Sequence, residues 1–295
     1  MKEQIESAAL EEKSLIAERE QRIEEAKKCT LFSNVFMMIA LRDKRACQYV
    51  LRILMGIPDL VVKEIRTEYR ISKLVSHDAI LDVLAEDSKG RLYNIEIQRA
   101  DTVDHSRRVR LYASMVDSEF LEKGKSYAEL PELYIIYISE TDLWKAGYTT
   151  YPVEKYFKNT DIPYEDGQHI LYVNAAVNDG SETAKLMQYF KTADPNDMRH
   201  GELSERIHLL KCEEGGYPEM CEASERIFNQ GVEHGERRGI KKGIKQGIEI
   251  GVSKGELNKA HDVAIGLASM GMSIENIAKV AKVEVSLVRQ WLDEQ

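Results

Sequence analysis

Hydrophobic and polar positions change their period several times along the chain, and each change marks a different kind of element. Residues 1–28 (MKEQIESAALEEKSLIAEREQRIEEAKK) combine good helix formers with interleaved charges and few bulky apolar groups. That pattern predicts a solvated or frayed N-terminal helix without functional content. From residue 29, TLFSNVFMMIALRDKRACQYVLRILMGIPDLVV carries apolar residues every three or four positions, with Gly56 and Pro58 as a stop, and predicts one or two buried helices. Between 60 and 100 the period shortens. VVKEIRTEYRI, AILDVLAE and RLYNIEIQ are short and rich in Val, Ile and Leu, and the last two flank Asp87-Ser88-Lys89-Gly90. These read as a strand followed by a β-hairpin. HSRRVRLYASMVDSEFLEKG at 105–124 reads as a helix ending at Gly124, and ELYIIYIS at 132–139 as a strand buried on both faces. QHILYVN at 168–174 predicts a further strand and ETAKLMQYF at 182–190 a further helix. The order predicts an α/β domain with a mixed central sheet over 29–224.

The tail has a different grammar. Glycine recurs at 231, 235, 239, 243, 247, 251 and 255, and Val232, Ile240, Ile244, Ile248 and Val252 each follow one of them. An isolated helix would lose about 1 kcal/mol at each such glycine relative to alanine. The segment 225–258 is therefore expected either to pair with another copy of the chain or to serve as a loosely helical linker. A spacing of four lets helix backbones approach closely, and because four exceeds 3.6 the stripe winds around the helix. Residues 259–295 divide into the end of a helix, a turn at Gly271, a helix capped by Ser273 and a last helix from about Val285 to Leu292, a small helix-turn-helix-like unit. Its last helix offers Arg289 as its one base, which favours a packing or oligomerisation unit over a reader of DNA.

Charge and cysteine content narrow the class. The 295 residues carry 41 Lys and Arg against 50 Asp and Glu, a formal charge of -9, so bulk charge does not suit the chain to coating nucleic acid. No stretch reads as a membrane span or a secretion signal. The four cysteines at 29, 47, 212 and 221 are too scattered for a metal knuckle and too few for a disulfide framework. The expectation is a cytoplasmic protein with reduced thiols and no membrane partner.

The chemistry concentrates in HDAILDVLAEDSKGRLYNIEIQRAD at 77–101. With Gly90 in the left-handed position of a three-residue turn, Asp87 faces Arg91 and, counting outward, Asp82 faces Glu96, with Gln98 two residues on. Two carboxylates opposed in an apolar sheet repel each other and lose hydration unless a cation neutralises them. Mg²⁺ is the natural candidate, with Mn²⁺ or Ca²⁺ as alternatives, because it takes hard oxygen ligands from one or two carboxylates. The bland alternative places both acids on the wet face of an edge hairpin. Arg107, Arg108 and Arg110 open the next helix, with Tyr112 one turn beyond Arg108; arginine forks there suit DNA phosphates, or else pair with Asp101 and Asp104. His77-Asp78 has the form of a metal-phosphohydrolase dyad but sits at the mouth of a strand without a second ligand cluster. Glu64 and Glu68 are candidates for a further acid.

Asp82, thirteen intervening residues and Glu96-Ile97-Gln98, set in LDVLAEDSKGRLYNIEIQ, resemble the PD-(D/E)XK nuclease signature in the form carried by the recombination-promoting nuclease (Rpn), or transposase-associated, group. The resemblance extends over roughly residues 30–220. It implies a restriction-endonuclease-like mixed sheet core with flanking helices, here followed by a C-terminal α-helical tail, and a metal-dependent DNA endonuclease active on recombination or mobile-element substrates. It implies that Asp82 and Glu96 bind the divalent metal and that Gln98 occupies the catalytic position where the wider superfamily usually has lysine. Glutamine supplies neither the positive charge nor a proton acceptor. The alternative is a catalytically silent DNA-binding or oligomerisation protein that keeps the nuclease fold.

Overall fold

The computed structural model describes residues 2–72, 79–98 and 104–294, with side chains excepted at 2–12 and 234. The predicted His77-Asp78 dyad and Asp101 lie outside the described residues. The chain forms two compact units, Met1–Phe228 and Asn229–Gln295.

The first unit opens with three helices, α1 (Lys2–Lys27), α2 (Asn34–Leu41) and α3 (Lys44–Met55). Asp43 caps α3 by accepting from the Ala46 N–H, and Gly56 ends it at φ 63, a left-handed C-cap where glycine carries no Cβ penalty. The strands β1 (Val62–Ile71), β2 (Ala79–Asp87) and β3 (Leu92–Gln98) follow as an antiparallel meander. Helix α4 (His105–Phe120) then crosses to β4 (Leu133–Ser139), which lies parallel to β3. Strands β5 (Thr150–Val153) and β6 (Gln168–Asn174) complete a six-stranded mixed sheet in the order β1-β2-β3-β4-β6-β5. Helices α5 (Glu182–Thr192), α6 (Gly201–Cys212) and the first turns of α7 (Tyr217–Ser269) return to the core.

Two apolar layers sandwich the sheet. One face meets α2, α3, α5, α6 and the start of α7, and the other meets α4 through Val109, Ala113, Met115 and Val116. Strand β4, at the centre, is buried along nearly its whole length, as its apolar run requires.

Two expectations are corrected and one strand is added. Helix α4 stops at Phe120, with Leu121 extended, rather than reaching Gly124. The N-terminal helix is not solvated to its end: Ile23 and Ala26 are buried in the core, Arg19 donates to Cys221 Sγ at 3.0 and 2.7 Å, and the Arg22 guanidinium lies 3.9 Å from the Phe228 ring centroid. Strand β5 was unforeseen, because four residues containing Pro152 at a sheet edge give little alternation to read.

In the second unit the glycine-periodic segment is continuous α-helix within α7. It is followed by α8 (Ile274–Ala281), with Ser273 as its N-cap residue, and α9 (Val285–Asp293). Ala264, Ile277, Ala278, Val288 and Trp291 form its small core.

Candidate active site

The β2–β3 turn fixes everything beyond it. Gly90 adopts φ 77, and buried Asp87 ties the turn by accepting from the Lys89 and Arg91 N–H groups at 2.9 Å, from Arg91 Nε at 2.6 Å and from the Tyr93 hydroxyl at 3.1 Å. Burial alone would push this carboxyl up, but the bonds from Arg91 and Lys89 hold it below the usual carboxylate range. The register that follows pairs Ala85 with Tyr93, Leu84 with Asn94 and Val83 with Ile95. The next position outward is Asp82 and Glu96, as the turn predicts.

There the ladder opens into a fork, and carboxylates take over the backbone donors. The Asp82 N–H donates to Glu96 Oε1 at 3.3 Å, and the Ile97 N–H donates to Asp82 Oδ2 at 3.1 Å. Two amides close the set: Asn34 Nδ2, from the first turn of α2, donates to Asp82 Oδ1 at 2.9 Å, and Asn94 Nδ2 donates to Glu96 Oε1 at 3.1 Å. Asp82 is 7% exposed and Glu96 5%. Burial pushes Asp82 up to about 6, against the bonds from Ile97 and Asn34 and the charge of Arg108. Burial and the neighbouring Asp82 raise Glu96 well above its ordinary value. Two buried acids side by side resist ionisation, and a positive charge next to them would favour their charged forms.

Helix α4 brings the rest. Arg108 Nη1 donates to Gln98 Oε1 at 3.1 Å, and the Arg108 charge acts on both carboxylates. Tyr112, one turn on, is half-buried, and burial together with Glu96 pushes its hydroxyl up to about 12, so it stays a hydrogen-bond donor. The structure thus gathers Asp82, Glu96, Gln98, Arg108 and Tyr112. Arg107 and Arg110 point to solvent on another side of α4. Glu64 is exposed and pairs with Arg66 at 3.0 Å. Glu68 lies beside Asp82 in register, between the pairs Thr67–Val83 and Tyr69–Leu81, at φ 51, and its carboxylate meets Arg226 of α7.

Sequence reasoning missed Asn34 and Asn94. Asn94 was within reach, since it stands two residues before Glu96 and so on the same side of its strand. Asn34 was not, because its bond to Asp82 spans 48 residues. The Oδ1 atoms of both amides are buried with no hydrogen-bond partner among the described residues. A pair of carboxylates with uncommitted amide oxygens is a hard-oxygen donor set, so these residues fit a divalent cation. Among the described residues no group of three or more His, Cys, Asp and Glu offers an alternative.

A family model described as PD-(D/E)XK nuclease family transposase matches residues 59–215. The chain belongs to this family. The matched span holds Asp82, Glu96, Gln98, Arg108 and Tyr112, whereas Asn34 lies before it. The comparisons with curated proteins and with solved structures returned no match. Membership explains the mixed sheet and brings a nuclease-like function with it. Nucleases of this superfamily generally use divalent metals and act on DNA. No helix among the described residues is long and apolar enough to cross a membrane.

The raised carboxyls make stability pH-dependent. An acid whose folded pKa lies above its unfolded value binds protons more tightly in the native state, so its burial is tolerated at low pH and costs stability as pH rises through the folded value. For Asp82, moving from 3.8 to about 6, the loss is on the order of 3 kcal/mol between pH 4 and pH 8. In EDTA the melting temperature should fall across this window, and Glu96→Gln should flatten the fall by removing one charge of the pair. Parallel wild-type and variant curves would contradict the assignment.

Proposed function

We propose that the chain is a divalent-metal-dependent DNA endonuclease acting on recombination or mobile-element DNA. The observation that carries this reading is the buried Asp82–Glu96 pair, flanked by Gln98 and Arg108. Asp82 and Glu96 hold the cation, Mg²⁺ in the first instance. When bound, it offsets their repulsion and stabilises charge developing on the scissile phosphate.

Gln98 cannot take up a proton, so its part is orientation. Its Oε1 is committed to Arg108, which leaves its amide N–H₂ to donate to the attacking water or to a phosphate oxygen. Arg108 supplies, from the neighbouring helix, the positive charge that lysine would carry at position 98, and Tyr112 adds a neutral donor. Arg107 and Arg110 contact phosphates further along the strand.

Nicking of supercoiled plasmid in Mg²⁺, Mn²⁺ or Ca²⁺, set against EDTA, tests the proposal. Nicking in metal and none in EDTA supports it. The glutamine at position 98 favours a second reading, a silent DNA-binding relative of the nucleases. That reading predicts salt-dependent DNA binding without nicking in any metal.

The glycine-periodic helix is proposed to associate with a second copy. Apart from the helix's own adjacent backbone, no atom among the described residues lies within 4 Å of the Cβ positions of its seven glycines, and Ile240, Ile244 and Ile248 are exposed, although glycine disfavours an unsupported helix. Converting these three isoleucines to glutamate should reduce the solution mass, by light scattering, to that of one chain. An unchanged number of protomers would leave the segment a linker.

A further inference from the structure

Beside the carboxylate pair the sheet carries a cross-strand row of tyrosines. Glu96 pairs in register with Tyr137, Tyr137 with Tyr172, and Tyr172 with Tyr151. At the far end the Tyr151 hydroxyl donates to Asp142 Oδ1 at 2.7 Å. Asp142 also accepts from the N–H groups of Trp144, Lys145 and Gly147 at 3.2, 3.0 and 2.9 Å. One carboxylate thus knots the loop after β4 and holds Lys145 in the left-handed region at φ 55, a conformation that persists only where surroundings enforce it. The loop is pre-ordered, and it displays Trp144.

Trp144 is supported from below and open above. Its ring packs perpendicular to His105, 5.0 Å away, and nearly perpendicular to Tyr172, 5.4 Å away, and His105 in turn lies 5.5 Å from Tyr172. Even so, Trp144 remains 47% exposed. His105 begins α4, the helix that carries Arg108 to the carboxylates and exposes Arg107 and Arg110, and Lys145 is exposed beside the indole. Tyr172, against which the indole packs, lies on β6, two strand spacings or about 10 Å from β3. An exposed indole on that side of the sheet, rimmed by cations, matches a nucleotide strand, with phosphates on the basic side chains and a nucleobase on the indole.

We propose that Trp144 is a stacking platform for an unpaired nucleobase of the DNA strand bound at the carboxylate pair. The proposal rests on the nuclease reading and names its substrate class, DNA that is single-stranded or locally melted near the scissile phosphate. In an intact duplex each base face is already covered by its neighbours, so the indole gains nothing there, and the arginines alone do not distinguish the two forms.

The chain has two tryptophans, so Trp291→Phe leaves Trp144 as the sole indole. In EDTA, titration of that full-length variant with an oligothymidylate should quench its fluorescence, and a duplex of equal length should not. Trp144→Ala should weaken single-strand binding, followed by anisotropy of a labelled oligonucleotide, about ten- to a hundredfold. Duplex binding should stay unchanged, and Trp144→Phe should restore part of the loss. Equal quenching by both forms, or an equal loss on both in Trp144→Ala, overturns the platform. Failure of the two ideas is separable. Quenching without metal-dependent cleavage removes the nuclease reading and keeps the platform, whereas cleavage with unaltered strand preference in Trp144→Ala does the reverse.

Discussion

Single-turnover cleavage of DNA in Mg²⁺ by Asp82→Asn and by Glu96→Gln is expected to fall at least about a thousandfold below wild type, a barrier increase of about 4 kcal/mol. Both replacements keep size and shape and delete one charge, so the loss reads the carboxylate and not the packing. Their effects on the metal-free fold should differ. Glu96→Gln removes a buried acid that the neighbouring Asp82 helps to raise and should raise the melting temperature in EDTA at neutral pH. Asp82→Asn turns an N–H₂ toward Asn34 or toward the Ile97 N–H, both of which donate to Asp82, and forfeits one of those bonds. A stable but inactive Glu96→Gln protein is the outcome that separates a site built for a cation from a merely structural acid. Retained cleavage in either variant would remove that residue from the chemistry.

The largest loss of stability is expected at Arg206, 9% exposed on α6. Its guanidinium donates through Nη1 to Glu219 Oε1 at 2.9 Å, through Nη2 to Glu219 Oε2, and through Nη2 to the Ile39 carbonyl at 3.1 Å. One side chain therefore ties α6 to the start of α7 and to α2, the helix whose first residue, Asn34, reaches Asp82. Arg206→Met keeps much of the volume but leaves Glu219 without its partner in a half-buried position. Removing one member of a buried pair costs about 3–5 kcal/mol. With Glu219 still 31% exposed at its side chain, the lower end applies, roughly a 6–12 °C drop in Tm for a unit of this size. Glu219→Met in the same background should cost little more, since the charge stranded by the first change is then gone. A drop of under a degree or two for Arg206→Met would show that the pair is solvated.

The parts of the site that the sequence revealed are those governed by local geometry. One left-handed glycine at 90 sets the count from Asp87–Arg91 to Val83–Ile95, and that count brings Asp82 to Glu96 with no knowledge of the rest of the chain. A helical turn likewise puts Arg108 and Tyr112 on one side of α4. What stayed hidden depends on contacts distant in sequence. Asn34 closes on Asp82 only after α2 docks on the sheet, and Glu68 is distinguished from Glu64 by its partner on α7. The Tyr137–Tyr172–Tyr151 row appears only once three strands have paired in register. Composition also misled at the N terminus. Arg19 and Arg22 look like surface charges, yet both lie over residues of α7, and the alkyl stems of such side chains can cover apolar surface. The isoleucines of the glycine-periodic helix show the converse, since their pattern is fully legible in sequence and they stay exposed in the fold.

Whether Asp82 and Glu96 form a cation site is decided by Mn²⁺ binding without DNA, read as loss of the free-ion paramagnetic resonance signal. Wild type should take up about one Mn²⁺ per chain, as one carboxylate pair allows, and release it to excess Mg²⁺. The double variant Asp82→Asn/Glu96→Gln should leave the free-ion signal intact. Equal uptake by wild type and double variant would place the cation elsewhere and leave the two carboxylates without a metal role.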